Sequence, residues 1–368
     1  MKKHIVIDAR LYGPKHTGIG RYTKNLLLAL INTPDFKKYN FTLLVYPDLV
    51  NEIVADLKDN YRYVPTPLKH YSIAEQLFLP ILITKLKPDL VHFTHLDKPV
   101  FYFGKSVVTV HDLIRHLSKG GATTTKSPLL YWPKYLGYLL MTRIIFLTSS
   151  IIVPSNYWRD YLIKNFRILP AKITTTYEAV DPSFFPILKS YVLNPKSYLL
   201  YTGNLYPHKN IDIVLKALRK LPQIKLKIIC ARSVFSLRID KLISKYKVSN
   251  QVEFLGYLPD AEFAKLYSQA LALVHPSFIE GFSLTGLEAM ALNCPVIASN
   301  STCLPEIYQD SVLYFNPNKS TELVDLIRLL QKSPQMRQKL IIKGQTQVKK
   351  YSWSKTAFET ISFYTLQL

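Results

Sequence analysis

The chain contains few cysteines and few acidic residues, and the first shortage bears on where the protein works. Its 368 residues include 3 cysteines, Cys230, Cys294 and Cys303. None of them form a C-x-x-C pair, and any disulfide scheme leaves one thiol over, which suits a reducing compartment. We therefore expect a cytoplasmic protein.

The shortage of acidic side chains makes the chain strongly basic. It has 25 Asp and Glu against 47 Lys and Arg, a formal net charge of +22. This excess favours anionic partners such as nucleotide diphosphates, lipid phosphates, acidic membrane faces or nucleic acid. Charge alone does not choose among them, and a basic solvated surface without any such partner would have the same composition.

A signal peptide and a membrane span are also missing from the pattern. The N-terminal residues MKKHIVID run into a short β-like segment without the apolar stretch and cleavage site of a leader, so we expect no processing. The most apolar region, residues 135–153, carries Arg143 near its middle, which hydrocarbon would penalise by about 3 kcal/mol. We predict a buried helix followed by a strand there.

Hydrophobic periodicity predicts two α/β domains. The length and a hydrophobic fraction of 48% are enough for two cores. Short β-branched runs alternate with amphipathic stretches, which is typical of parallel sheets with helices on both faces. The predicted strands lie near residues 4–9, 41–46, 89–93, 106–110, 150–153, 173–180, 197–202, 226–230, 252–255, 271–274, 295–298 and 312–315. The clearest predicted helices cover residues 21–30, 156–166, 211–221 and 262–270.

A linker-like stretch that contains Pro182, Pro186, Asn194 and Pro195 places the domain boundary near residues 186–196. The predicted domains are therefore residues 1–186 and residues 187–350. Residues 351–368 form a further amphipathic helix with no strand to pair with. Periodicity does not decide whether that helix packs on the second domain or crosses back to the first.

Ligands of open α/β sheets bind beyond the carboxyl ends of the strands, so the loops after strands are searched for a site. The first such loop opens a helix, and its Gly18 and Gly20 lack side chains where a backbone can approach an anion. No third glycine follows at the spacing of a dinucleotide fingerprint. An ordinary tight turn is the alternative.

Histidines follow two strands of the first half. His111 can donate a hydrogen bond to a sugar hydroxyl or transfer a proton, with Asp112 near enough to influence its orientation. A satisfied structural pair is the alternative. His92 and His95 follow an earlier strand, but two histidines without a third ligand make a poor metal site.

Two loops of the second half carry the strongest signals. Gly203 permits a sharp exit from a strand, and Lys209 stands beside a helix start, where its charge and the free amides can hold a diphosphate. Farther on, seven residues separate Glu280, in a loop, from Glu288, just over one turn into a helix that starts near Leu284. The first carboxylate can contact sugar hydroxyls, and the second can take both hydroxyls of a ribose. Two surface glutamates would not explain the glycine and the apolar residues around them.

The ordered motifs resemble the GT-B-fold retaining glycosyltransferases of family four, whose mark is a glutamate, seven residues and a second glutamate. The implied fold is α/β, with two Rossmann-like, doubly wound parallel-sheet domains facing a central cleft. The family also returns its last helix to the first domain. The motifs that carry the resemblance are residues 17–22, 110–113, 153–155, 203–210, 280–291, 295–299 and 351–353.

The resemblance also implies roles for individual residues. Glu280 would contact the transferred sugar near its anomeric carbon, and His111 would face that sugar from the first domain. Neither a metal ion nor a cofactor is implied, because cationic side chains and helix dipoles stabilise the leaving diphosphate of a UDP-, GDP- or ADP-sugar substrate. The implied donor-binding residues are Gly18, Gly20, Gly203, Asn204, Lys209, Gly281, Phe282, Ser283, Leu284, Thr285 and Glu288.

Two departures from the family pattern concern the loops. Asn204 follows Gly203 where many relatives soon carry an arginine, and His208 precedes Lys209, so the diphosphate has one cation fewer. Residues 177–181 replace a more usual Asn-Gly-Val-Asp pattern, which predicts a differently shaped loop.

We therefore predict a retaining, metal-independent transfer of a hexose to a glycan or lipid-linked acceptor. Mannose, glucose, galactose and N-acetylhexosamine all fit. A nucleotide-sugar epimerase or a glycoside phosphorylase on a related fold is the alternative. Nucleic acid is not an expected partner, because the basic residues are dispersed and no nucleic-acid motif occurs. Peripheral contact with the anionic inner membrane face, through basic and aromatic residues within 69–87 and 131–135, stays open.

Overall fold

A computed structural model describes residues 2–120, 128–184, 197–230, 235–256 and 258–368. The predicted domain boundary at residues 186–196 lies outside these ranges. The chain forms two compact units. The first comprises Met1–Asp112, Trp132–Glu178 and Ser352–Leu368, and the second comprises Leu113–Tyr131 and Ala179–Tyr351.

The first unit is built on a seven-stranded parallel sheet, in the order β3-β2-β1-β4-β5-β6-β7. Its inner strands are apolar and buried on both faces, as parallel sheets require. Edge strand β3 was not predicted, because its sequence RYVP is partly exposed and has no apolar run. The strands are β1 (Lys3–Asp8), β2 (Tyr39–Val45), β3 (Arg62–Pro65), β4 (Leu90–Phe93), β5 (Ser106–Thr109), β6 (Ser150–Val153) and β7 (Ile173–Thr175).

The second unit contains a six-stranded parallel sheet, in the order β10-β9-β8-β11-β12-β13. Each of its strands overlaps a predicted strand, and the predicted α/β class with two parallel sheets is confirmed. The strands are β8 (Tyr198–Thr202), β9 (Lys225–Ile229), β10 (Val252–Phe254), β11 (Ala272–His275), β12 (Val296–Ser299) and β13 (Leu313–Phe315).

Helices connect the strands in both units. All four of the clearest predicted helices are present, although α1 begins four residues before its predicted start. The helices are α1 (Thr17–Leu30), α2 (Val50–Leu57), α3 (Ile73–Leu86), α4 (Ile114–Leu117), α5 (Pro128–Thr148), α6 (Asn156–Phe166), α7 (Ile211–Leu218), α8 (Ser236–Tyr246), α9 (Asp260–Gln269), α10 (Leu284–Ala291), α11 (Leu304–Tyr308), α12 (Ser320–Lys332), α13 (Pro334–Val348) and α14 (Trp353–Gln367).

Helix α5 corrects the prediction of a buried helix within residues 135–153. A helix does precede strand β6, as predicted, but only one side of it is buried, through residues such as Ile145 and Phe146. Its other side exposes Leu136, Leu140 and Leu147. A helix that is apolar on all sides is therefore not necessarily buried on all sides. In the ranges described, none of the helices is both long enough and apolar enough to cross a membrane.

The terminal helix α14 packs within the first unit. Its Trp353 ring lies 5.9 Å from that of Tyr22 on α1, and its Tyr364 hydroxyl is 2.5 Å from Nδ1 of His92 on β4. Gln367 accepts a hydrogen bond from Ser150 at the start of β6. The helix therefore covers the part of the sheet that contains β4 and β6.

Candidate active site

The loop after β8 brings Lys209 beside a helix start. Gly203 has a φ of +136°, a conformation that side chains disfavour, so glycine allows the strand to turn sharply. Asn210, at a φ of +54°, begins the turn into α7 and donates hydrogen bonds to the carbonyls of Pro276 and Pro317. This amide thus ties the Lys209 loop to the loop that carries Glu280.

Glu280 is the centre of the site in the second unit. Its Oε1 accepts a hydrogen bond from Nζ of Lys209 at 2.7 Å and lies 2.7 Å from Nε2 of His275. Burial by itself would raise the pKa of Glu280, but the Lys209 ammonium and the His275 hydrogen bond outweigh it and hold the pKa well below its usual range. The carboxylate is therefore buried and ionised.

His275 is a site residue that the sequence analysis missed. It is the last residue of β11, one position beyond the predicted end of that strand, and it is buried. Besides Glu280, its ring contacts the hydroxyls of Ser283 and Tyr308, both at 3.1 Å from Nδ1. A polar residue that ends an apolar strand is the signal that would have identified it.

Tyr308 fixes the start of α10. Its buried hydroxyl donates to the Ser283 carbonyl at 3.0 Å and accepts from the Gly286 amide at 3.1 Å. A Cβ at Gly286 would lie 2.2 Å from that hydroxyl, so the position requires glycine. Helix α10 begins at Leu284, as predicted, and places Glu288, its fifth residue, in a buried position.

Lys209 is the cation of the loop after β8, because the neighbouring His208 is neutral near pH 7. Burial and the neighbouring Lys209 charge lower the pKa of His208 to about 4. The side-chain oxygen of Asn204 accepts a hydrogen bond from the Tyr206 amide at 3.3 Å, within the same loop.

Three further predicted site residues, Gly18, Gly20 and His111, lie in the first unit, in the segments that follow β1 and β5. A Cβ at Gly20 would lie 2.0 Å from the Gly13 carbonyl oxygen, so Gly20 is required by the turn itself. Gly18 faces open space and lies in the first turn of α1, since the helix begins at Thr17. Open space at a helix N-terminus leaves room for an anion there.

Glu178 and the Thr94 carbonyl contact the His111 ring, and the charge of Asp112 also acts on it. Its Nδ1 lies 3.1 Å from Oε1 of Glu178, and its Nε2 lies 3.0 Å from the carbonyl of Thr94. Burial alone would lower the pKa of His111, but the hydrogen bond to Glu178 and its charge outweigh burial and raise it above the ordinary value. Strand β7 ends at Thr175, five residues before the predicted end, and the residues after it carry Glu178 to this contact.

One group among the described residues has the composition of a metal site: His70, His95 and Asp97, whose ligand atoms lie within 4.8 Å of one another. His70 and Asp97 add the further ligands that His92 and His95 alone do not supply in the sequence pattern. The guanidinium of Arg10 lies in the same cluster, bonded to Asp8 and Glu75, and its charge opposes a second cation there.

His92, the other histidine of the pair considered in the sequence, is a buried structural residue. Its Nε2 lies 2.8 Å from the Thr109 hydroxyl, and its Nδ1 contacts Tyr364. Burial lowers its pKa to about 3, so the ring is neutral and links β4 to β5 and α14.

We expect Glu178→Gln to destabilise the protein in a pH-dependent way. Since the pKa of His111 is raised on folding, the ion pair stabilises fully below the unfolded-state pKa near 6.5 and is lost as the pH rises through the native value. Urea unfolding should show a loss of about 1.5 to 3 kcal/mol at pH 6 that shrinks at pH 9. Glu253→Gln, which removes a half-exposed partner of Lys227, is the control. An equal loss at both pH values would contradict the raised pKa.

We expect Tyr308→Phe to weaken the start of α10. The substitution leaves the buried Gly286 amide without its acceptor, which costs about 1 to 3 kcal/mol in unfolding free energy. Tyr314→Phe, which removes a longer hydrogen bond to the Leu304 carbonyl, should cost less. An unchanged unfolding free energy for Tyr308→Phe, measured by urea denaturation, would show that the hydroxyl does not support the helix.

Comparisons with known proteins show the family to which the chain belongs. Two family models match successive parts of the chain: Glycosyltransferase Family 4 over residues 17–184 and Glycosyl transferases group 1 over residues 187–347. The O-antigen chain mannosyltransferase RfbU of Salmonella typhimurium is 24% identical over 348 residues, 90% of this chain and 92% of that protein. The O-antigen chain mannosyltransferase B of Escherichia coli is 31% identical over 229 residues, and this match spans only 60% of that protein's length.

Solved structures share the architecture. HepE of Anabaena, in complex with UDP-glucose, matches with a TM-score of 0.72 at 15% identity, covering 99% of this chain and 100% of that one. At this identity the likeness shows the fold alone. The parallel sheets, the two family models and the relatives together show that the chain is a glycosyltransferase of the GT-B fold and belongs to the group 1, family 4 glycosyltransferases.

Proposed function

We propose that this enzyme transfers a hexose from a nucleotide sugar to a glycan or lipid-linked acceptor, with retention of configuration and without a metal ion. The observation that carries the proposal is the buried, ionised Glu280, bonded to Lys209 and His275 and eight positions before Glu288. In this proposal the enzyme acts in the cytoplasm, in peripheral contact with the inner membrane face.

The diphosphate of the donor binds at Lys209 and at the start of α10. An ammonium has three hydrogen-bond donors, so Lys209 can bond a phosphate oxygen while it also bonds Glu280. The first amides of α10 and the positive end of its dipole add to this charge. Glu288, buried on the second turn of the same helix, then takes the ribose hydroxyls. These groups carry the leaving diphosphate without a divalent ion.

Glu280 stabilises positive charge at the anomeric carbon instead of attacking it. Two hydrogen bonds already engage its Oε1, which reduces the nucleophilicity of the carboxylate. A preorganised anion in a buried site stabilises an oxocarbenium-like centre strongly. The leaving phosphate oxygen deprotonates the acceptor on the same face, which preserves the configuration.

The sugar is the least determined part of the proposal. Both relatives described above are named mannosyltransferases, so mannose is the first sugar to test. The HepE complex contains UDP-glucose, so the uridine donors are tested beside the guanosine and adenosine donors.

We expect one nucleotide among UDP, GDP and ADP to stabilise the purified protein selectively, in EDTA as well as without it. Binding at 100 times the dissociation constant adds about 2.7 kcal/mol to the unfolding free energy, which a thermal-shift assay detects. Lys209→Ala and Glu288→Ala should lose most of this stabilisation. Lys343→Ala, on α13, is the matched control and should keep it. Stabilisation that is absent, or that EDTA abolishes, would contradict the donor site.

We expect Glu280→Gln to lower kcat by about 100- to 1000-fold, because removing one preorganised electrostatic group at the reacting centre has effects of that order. Intact mass spectrometry of the wild type during turnover should find no covalent sugar. A hexosyl adduct that maps to Glu280 would contradict attack by the acceptor on the face of the leaving phosphate. It would indicate a double displacement instead.

A further inference from the structure

Helix α3 of the first unit presents an apolar stripe to the surface. Ile73, at its first position, is 80% exposed, and the other exposed apolar residues follow at helical spacing. The opposite side of the helix enters the core through Leu79 and Ile83. The stripe consists of Ile73, Leu77, Phe78 and Ile81.

A loop beside α3 displays two phenylalanines. Phe101 and Phe103 are 57% and 76% exposed, on either side of the buried Tyr102. The Tyr102 ring packs 6.1 Å from that of Phe93, and a Cβ at Gly104 would lie 2.3 Å from its hydroxyl. Because Tyr102 is tightly anchored, its two neighbours are held outward.

The loop and the helix form one surface. The Val100 amide donates to Oε1 of Gln76 on α3 at 2.9 Å, which joins the loop to the helix. We call this surface the α3 patch. It consists of Ile73, Leu77, Phe78, Ile81, Phe101 and Phe103.

Positive charge borders the α3 patch at both ends of the helix. Lys69 precedes α3, while Lys85 and Lys87 lie at its C-terminal end, and all three are exposed. The acidic residues between Lys69 and Phe103 do not neutralise these lysines at the surface. Glu75 and Asp97 are buried, and Asp89 forms an ion pair with Lys3.

We propose that the α3 patch docks the enzyme on an anionic lipid bilayer, with Phe101 and Phe103 inserted among the headgroups and the lysines on anionic lipids. Exposed aromatic and aliphatic side chains rimmed by lysine are the composition of an interfacial membrane contact. A second copy of the chain fits less well, since two such faces would bring like charges together. The inference rests on the proposed function, because docking carries the enzyme to a lipid-linked acceptor.

The test is flotation of the full chain with vesicles of phosphatidylcholine alone or with 30% phosphatidylglycerol, an amount chosen as roughly that of an anionic membrane. We expect binding only to the anionic vesicles, weakened by salt. Phe101→Ser with Phe103→Ser should lower the partition coefficient by about tenfold or more, and Lys85→Gln with Lys87→Gln by about tenfold. Leu237→Ser with Ile342→Ser, equally exposed in the second unit, is the matched control and should bind like the wild type.

Three results would overturn the docking surface: no binding to anionic vesicles, equal loss in the control, or a wild-type dimer in ultracentrifugation that the phenylalanine variant abolishes. Nucleotide binding, measured in parallel by thermal shift without lipid, separates this failure from failure of the proposed function. A chain that binds a nucleotide but no vesicle refutes only the docking surface. A chain that binds vesicles but no nucleotide refutes only the donor site.

Discussion

The buried charge of Glu280 is the interaction on which the site of the second unit depends. An ionised carboxylate leaves water at a large energetic cost unless cations and hydrogen-bond donors surround it. Here those partners come from separate places in the chain, Lys209 after β8 and His275 at the end of β11. The hydroxyl of Thr302, after β12, accepts a hydrogen bond from the backbone amide of Glu280. The Lys209 loop and the end of β11 must therefore both be in place before the carboxylate is satisfied, while Thr302 holds the backbone that carries it.

The fold was largely predictable because strands of a parallel sheet are buried on both faces and appear as continuous apolar runs. The exceptions follow from the same physics. Strand β3 lies at an edge, where partial exposure permits Arg62, and its sequence therefore lacks the signal. Helix α5 was predicted to be buried because its composition is apolar, but one of its sides lies at the surface. Composition alone does not show which side of a helix is covered.

The site was predictable where its residues share a loop, and not where distant segments meet. The rule that ligands bind at the carboxyl ends of strands identified the loops of Lys209 and Glu280. It did not show that their side chains bond each other across 71 positions, or that Glu178 reaches His111 across 67. Such pairs depend on the packing of whole loops, which no local pattern in a single sequence records.

The position of α14 has a consequence for the order of folding. Residues up to Tyr351 complete the second unit, whereas the first unit also needs the helix that follows, which supplies Trp353 and the Tyr364 partner of His92. Domains made during synthesis usually fold from the N-terminus onward. In this chain the first unit is synthesised first but completes its fold last. Until α14 has been synthesised, strand β4, which carries His92, lacks the helix that covers it.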